Sequence, residues 1–127
     1  MREDEPQLVS RILVVEDDAF IGMLYADTLA AMGHGVCAIA ATERDAVVAA
    51  EEHKPDFMIV DSSLAEGSGM AAVSEILRGG FVPHLFVSGD VAGILTLMPG
   101  ANILEKPFLP TDLAKAIQRV LATAPQI

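Results

Sequence analysis

Five short apolar runs punctuate the chain, and four of them stop at a polar or charged side chain. Ile12–Val15 runs into Glu16 and Asp17, Phe57–Val60 into Asp61, Leu85–Val87 into Ser88, and Ala101–Leu104 into Glu105 and Lys106; Val36–Ala40 is the fifth run. An unbroken aliphatic run suits a strand covered on both faces. Between the runs, apolar residues recur at helical spacing. Ile21, Leu24, Tyr25, Thr28, Leu29 and Met32 form one stripe that Gly33 stops. Thr42 is a natural N-cap for a helix reaching about His53, which Pro55 ends. A helix over about Met70–Arg78 turns Val73, Ile76 and Leu77 inward before Gly79-Gly80 breaks it. Residues 90 to 98 hold a short helix, and Thr111 caps a last one with Leu113, Ile117, Val120 and Leu121 inward.

Strands alternating with helices require right-handed crossovers and a parallel sheet with helices on both faces. The expected fold is α/β: a flavodoxin-like doubly wound sheet of five parallel strands in the order 2-1-3-4-5. Such sheets bind ligands beyond the carboxyl ends of their strands. The four polar terminations, spread over 90 positions, therefore converge on one edge.

At 127 residues, 52% of them hydrophobic, the chain is sized for one domain with an ordinary core. Residues 1–9 read as a solvated leader, 10–124 as the domain and 125–127 as a tail. A net charge of −10 argues against a nucleic-acid partner, because phosphate backbones are bound by Lys and Arg. The lone Cys37 excludes an intrachain disulfide or a cysteine metal cluster and suits a core thiol in a reducing compartment. The acidic REDEPQ after Met1 is unlike a signal peptide, and no apolar run approaches the roughly 20 residues that span a bilayer. A cytoplasmic location without membrane contact is expected. His34, His53 and His84 have no metal-site spacing, and no phosphodonor role is expected of them.

Each polar residue alone has an ordinary explanation. Asp17 or Asp18 could cap the following helix, Asp61 could be a loop residue, Ser88 before Gly89 a turn, and Lys106 a solvated lysine. Together they suggest phosphoryl chemistry. Clustered carboxylates on a rigid edge are tolerable around a hard cation, and Mg²⁺ favours one or two carboxylates with positions left for phosphate oxygens. Asp61 could bind that ion with one oxygen and attack phosphorus with the other, needing no separate base because an aspartate is ionised at neutral pH. The transition state spreads charge over its equatorial oxygens. The ion, the Lys106 ammonium and the Ser88 hydroxyl could each take one of them.

The ordered pieces ILVVEDD, FMIVDSSL, LFVSG and LEKPF resemble the receiver domain of bacterial two-component response regulators, over about residues 11 to 122. The resemblance implies a metal-binding acidic pair at Glu16 and Asp17 and phosphorylation of Asp61 by a sensor histidine kinase or a histidine phosphotransfer protein. It also implies a Mg²⁺-binding backbone carbonyl at Ser63, a switch hydroxyl at Ser88 and the invariant lysine at Lys106. Pro107 matches a proline that follows a cis peptide, and Gly69 a glycine eight residues past the acceptor. Three features depart from the pattern: Ala65 where proline is usual, Ile103 where an aromatic is usual, and a Ser88–Lys106 segment shorter by about four residues, roughly one helical turn. The shortening resembles a group of short alphaproteobacterial receivers with a reduced fourth helix. Isoleucine cannot report by ring rotation, so the signal would travel through the fourth helix or the loop before it.

After Leu121 only ATAPQI remains, so a stand-alone receiver is expected, a phosphoacceptor rather than a turnover enzyme, acting on an unknown downstream protein as a monomer or weak homodimer. A pseudo-receiver that binds without phosphotransfer is the alternative. A flavin carrier would want a Ser/Thr/Gly-rich loop where this chain has EDDAF, and a haloacid-dehalogenase-type phosphatase would want a second aspartate where it has Ser63.

Overall fold

A computed structural model describes residues 11–123; the expected leader at residues 1–9 and tail at 125–127 lie outside them. Five strands alternate with five helices: β1 Arg11–Val15, α1 Ala19–Ala31, β2 Gly35–Ala40, α2 Glu43–His53, β3 Phe57–Asp61, α3 Gly69–Leu77, β4 His84–Ser88, α4 Val91–Leu97, β5 Ile103–Glu105 and α5 Pro110–Thr123. All four strand pairings are parallel, and the sheet order is β2-β1-β3-β4-β5, the expected flavodoxin-like arrangement.

The aliphatic runs are buried because side chains on a strand alternate between faces and both faces here are covered. Ile12, Val14, Phe57, Ile59, Leu85 and Val87 point to the side that packs on Tyr25 and Leu29 of α1 and on Leu113, Ile117 and Val120 of α5. Leu13, Val15, Met58, Val60 and Phe86 point to the other, where Ala46 and Ala50 of α2, Ala72 and Val73 of α3 and Ile94 of α4 close the core. Each fully buried large apolar side chain contributes about 1.5–3 kcal/mol. β2 is less regular: the register slips between Ile12 and Leu13, and the Cys37 thiol donates to the Ile12 carbonyl at 3.4 Å.

The helix starts follow the expected capping chemistry. Asp18 accepts from the Phe20 and Ile21 N–H groups, Thr42 from Asp45, Ser68 from Ala71 and Asp90 from Gly93. Asp18, not Asp17, therefore caps α1, which leaves Asp17 available at the strand end.

Three sequence expectations need correction. Leu24 is half exposed, while Gly22 is buried. The inner arc of α1 runs through Gly22, Tyr25 and Leu29, and Leu24 lies roughly a third of a turn away from it. The last strand begins at Ile103, not Ala101, because the Pro99-Gly100 turn holds the Ala101 N–H on the Met98 carbonyl at 3.1 Å. Thr111 is not the cap of α5. The helix starts at Pro110, where a missing N–H costs nothing, and Asp112 accepts the Leu109 N–H at 2.9 Å.

Candidate phosphoacceptor site

The carboxyl ends of β1, β3, β4 and β5 bring Glu16, Asp17, Asp61, Ser88 and Lys106 to one edge of the sheet. Asp61, the last residue of β3, is nearly buried. One of its oxygens accepts the Lys106 ammonium at 2.9 Å, and the other accepts the Ser63 backbone N–H at 2.9 Å. Carboxylate oxygens of Glu16, Asp17 and Asp61 lie within 4.8 Å of one another. The Lys106–Pro107 peptide is cis, as the resemblance implied.

Glu16 is the least comfortable member of the set. It is 2% exposed; one oxygen accepts the Asp18 N–H at 3.0 Å, and the other, Oε1, is buried with no hydrogen-bond partner. Burial, reinforced by the neighbouring Asp61 carboxylate, pushes its carboxyl up to about 8. The Tyr25 phenol is also pushed up, mainly by burial and further by the charges of Glu16 and Asp61. An orphaned carboxylate oxygen facing two other carboxylates fits a hard divalent cation, whose ligands are oxygens. Mg²⁺ fits this donor set, with Glu16, Asp17 and Asp61 as the side chains that would hold it.

The loop beyond β3 is folded tightly against the strand it leaves. Ser63 and Ser68 form a bridge, and the Gly69 N–H donates to the Ser62 carbonyl at 3.2 Å. A Cβ at Gly69 would fall 2.0 Å from the Asp61 carbonyl oxygen and 2.7 Å from Val60 Cγ1. Glycine at this position lets the first turn of α3 approach the backbone of the acceptor.

Ser88, also nearly buried, ends β4. Its hydroxyl oxygen accepts from the Ser62 hydroxyl at 2.7 Å and from the Asp90 N–H at 2.9 Å, while its carbonyl accepts the Lys106 N–H at 2.9 Å. Ser62 was not singled out by sequence reasoning. The signal that finds it is register: Asp61 pairs with Val87, so the next residue of each chain, Ser62 and Ser88, come level. Asp61, Ser62, Ser88 and Lys106 line a cleft of about 430 Å³. A larger open depression of about 890 Å³ lies between α2 and α3 and contains none of the converging residues, so chemistry rather than volume locates the site.

The histidines lie at the opposite edge. His84 begins β4 and its Nδ1 meets the Val82 carbonyl at 2.7 Å; His53 ends α2 with its carbonyl on Arg11, the first residue of β1; His34 immediately precedes β2.

The description "response regulator receiver domain" matches residues 12–118. The chain is 32% identical over 124 residues to the phyllosphere-induced regulator PhyR of Methylorubrum extorquens, covering 94% of this chain and 46% of that protein. It thus spans about half the length of that relative. It is 38% identical over 119 residues to the chemotaxis protein CheY of Bacillus subtilis, covering 90% of this chain and 99% of that one. The solution NMR structure of the Erythrobacter litoralis PhyR receiver domain superposes with a TM-score of 0.84 at 28% identity, over 94% of this chain and 96% of that domain.

Proposed function

The chain belongs to the response regulator receiver family, and from that premise we propose that it accepts a phosphoryl group on Asp61 from a phosphohistidine of a sensor histidine kinase or histidine phosphotransfer protein. The observation that carries this reading is the Lys106 ammonium 2.9 Å from one oxygen of a nearly buried carboxylate, with two further carboxylates within 4.8 Å. An Asp61 oxygen attacks phosphorus, the O–P bond forms and the N–P bond to the donor imidazole breaks. The leaving nitrogen keeps the electron pair, and the donor departs as neutral imidazole with its proton on the other ring nitrogen. Lys106 neutralises charge on the transferring group, and the Ser88 hydroxyl is a donor for one of its oxygens. Glu16, Asp17 and Asp61, with the Ser63 backbone carbonyl, would hold Mg²⁺, which would supply the remaining positive charge.

Phosphorylation then shifts the population between two conformations and changes affinity for a downstream protein. In this reading the chain works in the cytoplasm as a monomer or weak homodimer, with no nucleic-acid or membrane partner, and is a phosphoacceptor rather than a turnover enzyme. No helix among the described residues is long and apolar enough to cross a membrane. Incubation with acetyl phosphate and Mg²⁺ is expected to add one phosphoryl mass to the wild type and none to Asp61→Asn. A wild type that stays unmodified refutes the reading and leaves the pseudo-receiver, a binding module indifferent to phosphorylation.

A further inference from the structure

Ser62 is half buried, and its backbone N–H donates to the Val87 carbonyl at 3.2 Å, extending the β3–β4 ladder one step past Asp61. That step aims its hydroxyl at Ser88, 2.7 Å away. The Asp90 N–H reaches the same Ser88 oxygen at 2.9 Å. A serine hydroxyl has two lone pairs and one proton. With Ser62 as the donor of the hydroxyl pair, the two donors fill the acceptor sites of Ser88 and leave its own proton to give, in a place bulk water hardly reaches.

The second donor also leads elsewhere. The Asp90 carboxylate accepts the Gly93 N–H at 3.0 Å and so caps α4. A Cβ at Gly93 would fall 2.2 Å from that carboxylate, which shows how closely it lies on the first turn. α4 has seven residues, of which only Ile94 is buried, while Leu95 and Leu97 face solvent. A helix so lightly anchored depends on its cap more than a long one does.

We propose that Ser62 is a positioning residue: together with the Asp90 N–H it fixes the Ser88 hydroxyl so that its one remaining proton is offered to a phosphoryl oxygen on Asp61, and it thereby ties occupancy of Asp61 to the cap of α4. The inference deepens the phosphoacceptor reading and rests on it. Ser62 acts only through Ser88, so its effect must vanish when Ser88 has no hydroxyl. A residue that merely packs the strand end would not behave this way.

The test is a double-mutant cycle on the full chain. Wild type, Ser62→Ala, Ser88→Ala and the double variant are modified with acetyl phosphate and Mg²⁺, and the rate is followed by intact mass. Hydrogen exchange across residues 90–98 is compared with and without beryllium fluoride, a phosphoryl mimic. Ser62→Ala should slow modification about fivefold, the worth of one ordinary net hydrogen bond, and blunt the exchange response of α4. Ser62→Thr should restore both, and Ser62→Ala should add nothing to Ser88→Ala. Ser62→Cys, a weak donor of similar size, should fall between, and it carries the test if the alanine variant does not fold. Wild-type rate and exchange in Ser62→Ala, or effects that multiply in the double variant, overturn the inference while the phosphoacceptor reading stands. A wild type that takes up no phosphoryl group overturns that reading, and this inference with it.

Discussion

Replacing Gly69 with alanine adds a single methyl group, and the structure sets what it meets. The new Cβ would lie 2.0 Å from the Asp61 carbonyl oxygen, 2.9 Å from its carbonyl carbon and 2.7 Å from Val60 Cγ1. Two of these atoms are backbone, in a strand paired on both sides, and the third is a buried β-branched side chain. None can rotate away, so α3 must withdraw by about 1.5 Å to restore ordinary contact. Overpacking of this kind costs about 1–3 kcal/mol. The withdrawal also strains the hydrogen bond from the Gly69 N–H to the Ser62 carbonyl, worth about 1 kcal/mol. Alanine's better helix propensity returns at most about 1 kcal/mol, and less at the first position of a helix. The net loss is about 1–4 kcal/mol, centred near 2–3, which at a urea slope of about 1–3 kcal/mol per molar lowers the unfolding midpoint by roughly 0.7–3 M. Gly35→Ala is the control, since a Cβ there meets nothing within 4 Å. The two substitutions should separate clearly in paired urea titrations. A Gly69→Ala midpoint that coincides with the Gly35→Ala midpoint would refute the close-approach reasoning.

Two further predictions concern the charges at the strand ends. Glu16 has its carboxyl pushed up to about 8 from 4.5, so without metal the folded state holds a proton that the unfolded chain releases earlier. The sign follows: this stabilisation is complete below about 4.5 and is lost as pH rises through about 8, while Mg²⁺ affinity should rise over the same range by up to about tenfold per pH unit as the ion displaces the proton. Calorimetric Mg²⁺ titrations and metal-free urea midpoints at several pH values check both trends, and Glu16→Gln retaining the wild-type slopes would contradict the assignment. Lys106→Met removes the ammonium 2.9 Å from Asp61 and should slow modification by acetyl phosphate about a hundredfold, the scale set by loss of one charge-stabilising donor. A time course by intact mass that overlays the wild type would show that Lys106 does not act on the transferring group.

The sheet was legible because its signal is redundant. Val14 and Val15 must be buried whichever face they take, so the aliphatic runs mark the inner strands without any knowledge of packing. The convergence of Glu16, Asp61 and Lys106 followed from the same fact, since parallel strands leave no other place for their ends. What escaped was decided by contacts between elements. Leu24 carries a core-like side chain, yet the close seat of Gly22 beside Ile39, where a Cβ would lie 3.2 Å from Ile39 Cγ2, turns that face of α1 outward. The start of β5 was decided by a turn at Gly100, whose φ of 84° brings the Ala101 N–H back to Met98. Ser62 looked like any polar residue after a strand until the β3–β4 register set it beside Ser88.

Ile103 brings these threads together. It sits half buried against the core that also holds Ile94 and Met98, and it begins a strand of only three residues. A branched aliphatic side chain there has no ring to swing between an inner and an outer position, and its preferred χ1 is stiff. On the proposed reading, a rearrangement that follows phosphorylation of Asp61 is carried by groups that can exchange hydrogen-bond partners. Between β4 and β5 the structure offers such a path: Ser88 is bound to Ser62 and to the Asp90 N–H, and Asp90 in turn caps α4. With a single buried residue, Ile94, to hold it, α4 can respond to the loss or gain of a cap worth about 1 kcal/mol, a difference that a longer and better anchored helix would absorb.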